Sequence, residues 1–387
     1  MIRERGKNSY VHFYLSLPSY TCQDKMIAKY FILPFLCFNY DLCRGSPFPP
    51  TDASWLDIGP VLLPTDPWEE TAVSEPQVYW DKYNDEFRMY YRGGWGNQSV
   101  GIATSKTGLT WKKYKNNPVY GAGGSNVDGL TEGGQPFVFR EEINKYWLYA
   151  TGLGHMNIAI SEDGYDWKTQ NSTIKLPDGC SYFGNRVVWT EQVNTTNDKN
   201  ITTQMKKYYM LQESGWSDSV WKIWMYTSND SLVWEIGNHG RALESLEIGL
   251  GGGMFGGPSF ANVNGTIVAK NESGVYNLWY HASHPPKGVA LLPTDVYHAA
   301  SKDLITWKIS GCETPILKHS GKGAEYDQTA DPSPIITPDG GAFLYYDGDN
   351  NDNGHASVGM ALAKPKPPKS RDAYNGISKP SVTIEVL

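Results

Sequence analysis

The chain has 387 residues and a net charge of −7, with 40 glycines, 24 prolines, 14 tryptophans and 25 tyrosines against 19% charged residues. So many aromatic and turn-forming residues, with so few charged ones, describe short strands joined by tight turns: an all-β protein rather than a helical one. The acidic balance argues against nucleic acid or an anionic membrane surface as partner, since both need clustered Lys and Arg, and a neutral ligand fits better.

Residues 1–50 read as a leader. Within it, Met26 to Phe38 is an apolar run behind a single lysine, Lys29, too short to span a bilayer. With translation starting at Met26, residues 26–45 make a signal peptide cut near Arg44 to Ser46 and the protein is secreted; a disordered leader is the alternative. Asn-X-Ser/Thr sequons at Asn97, Asn171, Asn194, Asn200, Asn229, Asn264 and Asn271 point the same way, because they become glycan acceptors only in a eukaryotic secretory pathway. Cys22, Cys37 and Cys43 lie in or beside the leader, which leaves Cys180 and Cys312 as a candidate disulfide in the body.

The body, residues 51–366, is built on a repeat. Phe87-Arg-Met-Tyr-Tyr is followed by Val100-Gly-Ile-Ala-Thr-Ser and Trp111; Tyr146-Trp-Leu-Tyr-Ala by Asn157-Ile-Ala-Ile-Ser and Trp167. Tyr208-Tyr-Met-Leu precedes Ile223-Trp-Met-Tyr-Thr-Ser and Trp234, and Tyr276-Asn-Leu-Trp-Tyr precedes Val296-Tyr-His-Ala-Ala-Ser and Trp307. A fifth copy, Ala342-Phe-Leu-Tyr-Tyr with Ser357-Val-Gly-Met-Ala-Leu, lacks its tryptophan; Ser54-Trp55 at the other end of the body supplies one. Each copy has a further strand ahead of it. The pattern predicts a five-bladed β-propeller whose last blade is closed by the N-terminal strand, with the tryptophans and paired tyrosines packing between blades. Beyond it, Lys-Pro-Lys-Pro-Pro-Lys from Lys364 is a stiff exit, and residues 367–387 form a tail in which Ser381 to Val386 can add a strand.

In such a fold the innermost strands start at one face near the axis. Their starts read Ser74-Glu75-Pro76, Glu132-Gly-Gly-Gln135-Pro136, Gly184-Asn185-Arg186, Gly256-Gly257-Pro258 and Ala330-Asp331-Pro332. Blades five, one and two are neighbours, so Asp331, Glu75 and Glu132 meet in one funnel. Arg92, His155, Glu213, His281 and Asp347, at strand ends nearby, can face the same funnel. Trp95, Trp216 and Tyr182 suit stacking on sugar rings at its edge. Arg92 and Arg186 either bind a uronic-acid carboxylate or sulfate, or neutralise the acids.

The acid-then-Pro starts, the Tyr-rich second strands and the run Ile158-Ala-Ile-Ser-Glu-Asp-Gly-Tyr-Asp-Trp167 resemble the five-bladed glycoside hydrolases. That superfamily holds the arabinanases and xylosidases of family 43, the invertases and the levansucrases, and the resemblance covers about residues 55 to 366. It implies a glycosidase with three acidic roles: a base or nucleophile, a general acid, and a carboxylate that positions substrate or tunes pKa. Position by position these fall on Glu75, Asp331 and Glu132, with His155 or His281 as alternative acids. The pattern departs from the family in three ways. No Trp-Met-Asn-Asp-Pro-Asn-Gly stretch is present, Glu75 stands where family 43 usually has Asp, and Gln135 and Gly257 precede prolines without an acid. These departures keep a rival open, a catalytically inactive carbohydrate-binding propeller. No catalytic cofactor or metal is expected. The loop Asp347-Gly-Asp-Asn-Asn-Asp-Asn-Gly354 reads as turn chemistry, with a structural calcium site the alternative. Oligomeric state is left open.

Overall fold

The computed structural model describes residues 49–51, 55–96, 98–121, 133–152, 155–196, 202–215, 221–243, 254–283, 293–311, 314–321, 328–337, 341–350 and 355–363. Residues 1–48, the C-terminal tail, Cys312 and residues 351–354 lie outside them, so the signal peptide, the disulfide and the calcium alternative do too. Cys180 is half-buried.

β1 (Trp55–Leu62) leads the chain. β2 (Val73–Asp81), β3 (Glu86–Gly93), β4 (Ser99–Ser105) and β5 (Lys112–Lys113) form a first antiparallel array, with β6 (Tyr120–Gly121) also on the edge of β4. The second array is β7 (Gly134–Glu142), β8 (Lys145–Gly152), β9 (His155–Ser161) and β10 (Lys168–Gln170). The third is β11 (Tyr182–Thr196), β12 (Thr202–Gly215), β13 (Trp221–Ser228) and β14 (Glu235–Ile236). In the fourth, β15 (Phe255–Ser259) and a small hairpin, β16 (Ala261–Val263) and β17 (Thr266–Val268), precede β18 (Tyr276–Ser283), β19 (Thr294–Ser301) and β20 (Trp307–Ile309). The last runs β21 (Gln328–Ile336), β22 (Ala342–Asn350) and β23 (His355–Ala363), and its fourth strand is β1, with Trp55 opposite Ala363 and Leu62 opposite Val358. Among the described residues no helix is long and apolar enough to cross a membrane.

The repeated Ser…Trp run is a turn with a mechanism. Ser105, Ser161, Ser228 and Ser301 each accept at Oγ the backbone N–H three residues on, at 2.8–3.0 Å. Asp163, Asp230 and Asp303 accept two more N–H groups apiece. The residue capped by the serine has φ of 65° to 81° (Gly108, Gly164, Ser231, Leu304), a left-handed geometry that explains glycine in the first two copies.

The tryptophan that follows packs on the neighbouring array. Trp111 lies against Tyr345, Trp167 against Tyr90 and Trp234 against Tyr149, at centroid distances of 5.7 to 6.2 Å. The same tyrosines reach back with their hydroxyls, Tyr345 to Gly108 O at 2.8 Å, Tyr90 to Gly164 O at 2.9 Å and Tyr149 to Ser231 Oγ. The apolar ring buries area while its polar tip is satisfied, so each turn is welded to the next sheet.

The first strands of the arrays touch in cyclic order, β2, β7, β11, β15, β21 and back to β2. The fourth and last arrays are joined into one sheet by short parallel ladders, β16 with β21 and β19 with β21, whereas side chains link β2 to its neighbours β7 and β21. Gln77 donates to Val138 O and accepts from Val138 N–H, both at 3.0 Å, and Ser333 Oγ accepts Val78 N–H at 2.9 Å. Ser333→Ala strands that buried N–H, and a loss of about 1–3 kcal/mol in urea unfolding is expected. An unchanged midpoint would show that the stitch contributes nothing.

Candidate active site

Every first strand breaks its pairing at the same place. Glu75 and Pro76 together oppose Tyr91, Gln135 and Pro136 oppose Ala150, and Gly184 and Asn185 oppose Glu213. Gly257 and Pro258 oppose Tyr280, and Asp331 and Pro332 oppose Tyr346. These are β-bulges, and the prolines in them have no N–H to lose from the ladder. The residue ahead of each proline takes a left-handed conformation: φ is 53° at Glu75, 48° at Gln135, 57° at Gly257 and 48° at Asp331. For a non-glycine residue that costs on the order of 1–3 kcal/mol, and here it brings two carboxyls, those of Glu75 and Asp331, to one cavity. In the third array Asn185 holds the proline position and Gly184 the acid position, one residue earlier than the sequence spacing suggests.

The point they surround is a cavity of about 30 Å³, lined from all five arrays by Glu75, Pro136, Arg186, Gly257, Asp331 and their neighbours. That volume is room for a water or two. Glu75 Oε1 is 2.8 Å from Arg92 Nη1, and Oε2 has no partner among the described residues. The Arg92 guanidinium lies 4.6 Å from the ring centre of Trp95, which is 40% exposed, so an aromatic surface leads outward from the acids. Asp331 Oδ1 lies 3.2 Å from His281 Nδ1, and the Asp331 N–H also points at that nitrogen from 3.2 Å. A bare Nδ1 accepts the amide; a protonated one donates to the carboxylate, so either state of His281 holds Asp331 in place. Arg186 donates from Nη2 to Thr151 Oγ1 at 2.5 Å and to Gly184 O, while Nε and Nη1 have no partner among the described residues.

The third carboxylate is Glu213, on β12. Its Oε2 accepts the N–H groups of Asn185 (3.1 Å) and Gly257 (3.0 Å), and its side chain fills space that two glycines leave free. A Cβ on Gly184 would sit 2.7 Å from Glu213 Cδ, and one on Gly256 would sit closer still. Glu213, His281 and Asp331 each present an atom within 4.8 Å of the others, a donor set that could also hold a divalent cation.

Burial pushes the Glu75 carboxyl up to about 7; Asp331 and Glu213 add to the rise, while Arg92 and Arg186 oppose it. Burial also raises Glu213, with Asp331 adding, against the pull of His281 and the two amides. Burial works to lower His281, but the hydrogen bond and charge of Asp331, with Glu213 and Glu75, outweigh it and leave the imidazole raised. Burial brings Arg186 down to about 9, partly offset by Glu75 and Glu213.

Of the residues singled out from sequence, Glu75, Arg92, Arg186, Glu213, His281 and Asp331 come together here, with Trp95 at their outer edge. Glu132 and Trp216 lie outside the described residues. His155 is exposed at the start of β9, opposite Gly152, and does not line the cavity. Asp347 is buried opposite Ala330 and accepts from Gln328 Nε2 at 3.3 Å. Tyr182 is exposed and stacked on Trp221 at 6.3 Å. Thr151 went unnoticed in the sequence although it shares one register position with Arg92, His281 and Asp347, each opposite the residue that opens a bulge.

The sequence matches no family model and no curated protein. Solved structures do match. One described as a glycoside hydrolase aligns with a TM-score of 0.58 at 15% identity, over 87% of this chain and 96% of its own. A second, a BT0996 RGII complex, has the same score and identity over 84% and 94%. A GH62 hydrolase in complex with xylotriose gives 0.51 at 11%, over 83% and 99%. At this identity the likeness shows the fold: the protein is all-β with the architecture of propeller-type glycoside hydrolases.

Proposed function

We propose that the protein is a five-bladed β-propeller, its last blade closed by β1, that hydrolyses glycosidic bonds of an extracellular oligo- or polysaccharide. The observation that carries this is Glu75, a buried carboxyl raised to about 7 whose Oε2 has no partner among the described residues, facing two further carboxyls across a strained ring of bulges. Glycoside hydrolysis needs that asymmetry: one acid that keeps its proton near neutral pH for the leaving oxygen, and one carboxylate across the bond. Glu75 is the acid. Asp331, oriented by His281, is the nucleophile or the base that activates water, and Glu213, held by two backbone amides, keeps the Glu75 proton in place through its charge. The sugar sits above the small cavity, with Trp95 and Arg92 as its platform. The likeness to a GH62 hydrolase bound to xylotriose supports a sugar as ligand, and the leader and sequons support secretion.

Release of reducing sugar from a panel of glycans and aryl glycosides tests the reading, with Asp331→Asn run alongside. Activity in the wild type and a fall of about 10²–10⁴ in the variant are expected. Equal release from both would remove Asp331 from the chemistry, and binding without release from either would leave a sugar-binding propeller.

A further inference from the structure

The third array carries a segment that the others lack. β12 pairs with β13 only as far as Tyr208 opposite Ser228, yet β11 and β12 run on together, Glu191 opposite Lys207 to Thr196 opposite Thr202. Residues 191–196 and 202–207 are therefore a two-stranded ribbon beyond the sheet. Such a ribbon is marginal by itself; Lys206 ties its base to Glu141 of β7, and among the described residues no further strand pairs with Gln192–Asn194 or Thr203–Met205, an edge of the kind that invites pairing with another molecule. Its strands are polar and largely exposed, with Met205 also exposed.

Four sequons surround it. Asn194 is exposed on the ribbon itself. Asn229 is exposed one residue beyond Ser228, where β13 leaves the edge of β12. On the β11 side, Lys270 Nζ reaches Glu191 Oε2 at 2.8 Å and Tyr276 donates to Glu191 Oε1 at 2.8 Å, which brings the Asn271 turn to the ribbon base. Asn264 is exposed in the β16–β17 turn, and the next two residues, Gly265 and Thr266, line one cavity with Thr190, directly before the ribbon. All four lie at the end of the strands away from Glu75, since β11, β13 and β15 each start at the acid end. Asn271 uses only Oδ1 in its turn, accepting Ser273 and Val275 N–H at 3.0 Å, so modification at Nδ2 leaves the turn intact.

We propose that Asn194, Asn229, Asn264 and Asn271 carry N-linked glycans that sheathe this ribbon and block its edges from self-association, an inference that rests on the secretory part of the function proposed above. The transfer takes an oligosaccharide from a lipid pyrophosphate donor: the bond from sugar C1 to the pyrophosphate oxygen breaks, C1 bonds to Asn Nδ2, and Nδ2 loses one proton. Placed at the far end, the glycans leave the acid end open to substrate.

The test uses the full chain with a supplied secretion leader, expressed in a eukaryotic host. Peptide N-glycosidase F in heavy-oxygen water converts occupied Asn to labelled Asp, read by peptide mass spectrometry. Label at three or more of the four positions is expected, and label at fewer overturns the proposal. Native protein before and after deglycosylation is then compared by light scattering on a sizing column. A rise in mass after glycan removal is expected, and an unchanged mass overturns the shielding role. Neither readout involves substrate, so failure here leaves the hydrolase reading standing, and failure of hydrolysis leaves the glycans standing.

Discussion

Glu75→Gln is expected to lose turnover by about 10²–10⁴ and at the same time to gain stability relative to the wild type as pH rises from 5 to 8. An unfolded chain releases the Glu75 proton near the ordinary carboxylate value of 4.5, whereas the folded protein holds it up to about 7. Between those values the native state binds the extra proton, so raising pH draws stability away, the reverse of an ordinary ion-paired carboxylate. The contribution is complete below about 4.5 and gone above about 7, on the order of 3 kcal/mol across the window. Gln does not titrate, so the variant escapes this loss. It leaves Arg92 without its carboxylate, but at pH 5 Glu75 is largely neutral in the wild type too, and comparing the two pH values isolates the proton. Thermal melts at pH 5 and pH 8 measure the difference, and kcat/KM against pH measures the chemistry, where the wild type should fall as pH passes 7. A stability gap independent of pH would mean that Glu75 is already ionised at neutral pH and is not the acid.

Gly256→Ala is the second large effect. The added Cβ would stand well inside van der Waals contact of the Glu213 carboxyl. Either the strand shifts or the carboxylate gives up the Asn185 and Gly257 amides. Overpacking with broken buried hydrogen bonds costs about 1–3 kcal/mol, and turnover should fall with it because Glu213 no longer bears on Glu75. The cause can be isolated in a Glu213→Ala background, where the clash is gone. Urea unfolding should then show Gly256→Ala costing much less than in the wild type. The same cost in both backgrounds would place the strain elsewhere on β15 and remove Glu213 from the account.

The two acids on first strands were legible because each stands directly before a proline. A residue with no N–H tolerates a bulge, and a bulge is what redirects a side chain, so Glu75-Pro76 and Asp331-Pro332 announce themselves locally. Glu213 has no such neighbour. Its place at the end of a second strand puts it near the funnel in sequence, but it stands where the second strands of three other arrays have Tyr91, Tyr280 and Tyr346, and nothing in its own segment marks it as one of the central acids. The trace it leaves is distant, in the side chains missing at Gly184 and Gly256. From sequence Gln135, Asn185 and Gly257 read as an irregular acid set; Gly184 and Gly256 beside them are, in the fold, the room Glu213 occupies.

The alternation of the strands, the Ser-capped turn with its tryptophan and the partnership of β1 with β23 were legible in the sequence by itself, because strand period and turn chemistry act over a few residues, the repeat displays the strand pair five times and the turn four, and the tryptophan missing from the last copy stands at Trp55. Which carboxyls meet, which one burial pushes furthest from its ordinary pKa and which strands run on as a ribbon were decided only by the tertiary structure. Those properties belong to no single repeat: they arise where five bulges converge out of water, and where one pair of strands outruns its sheet.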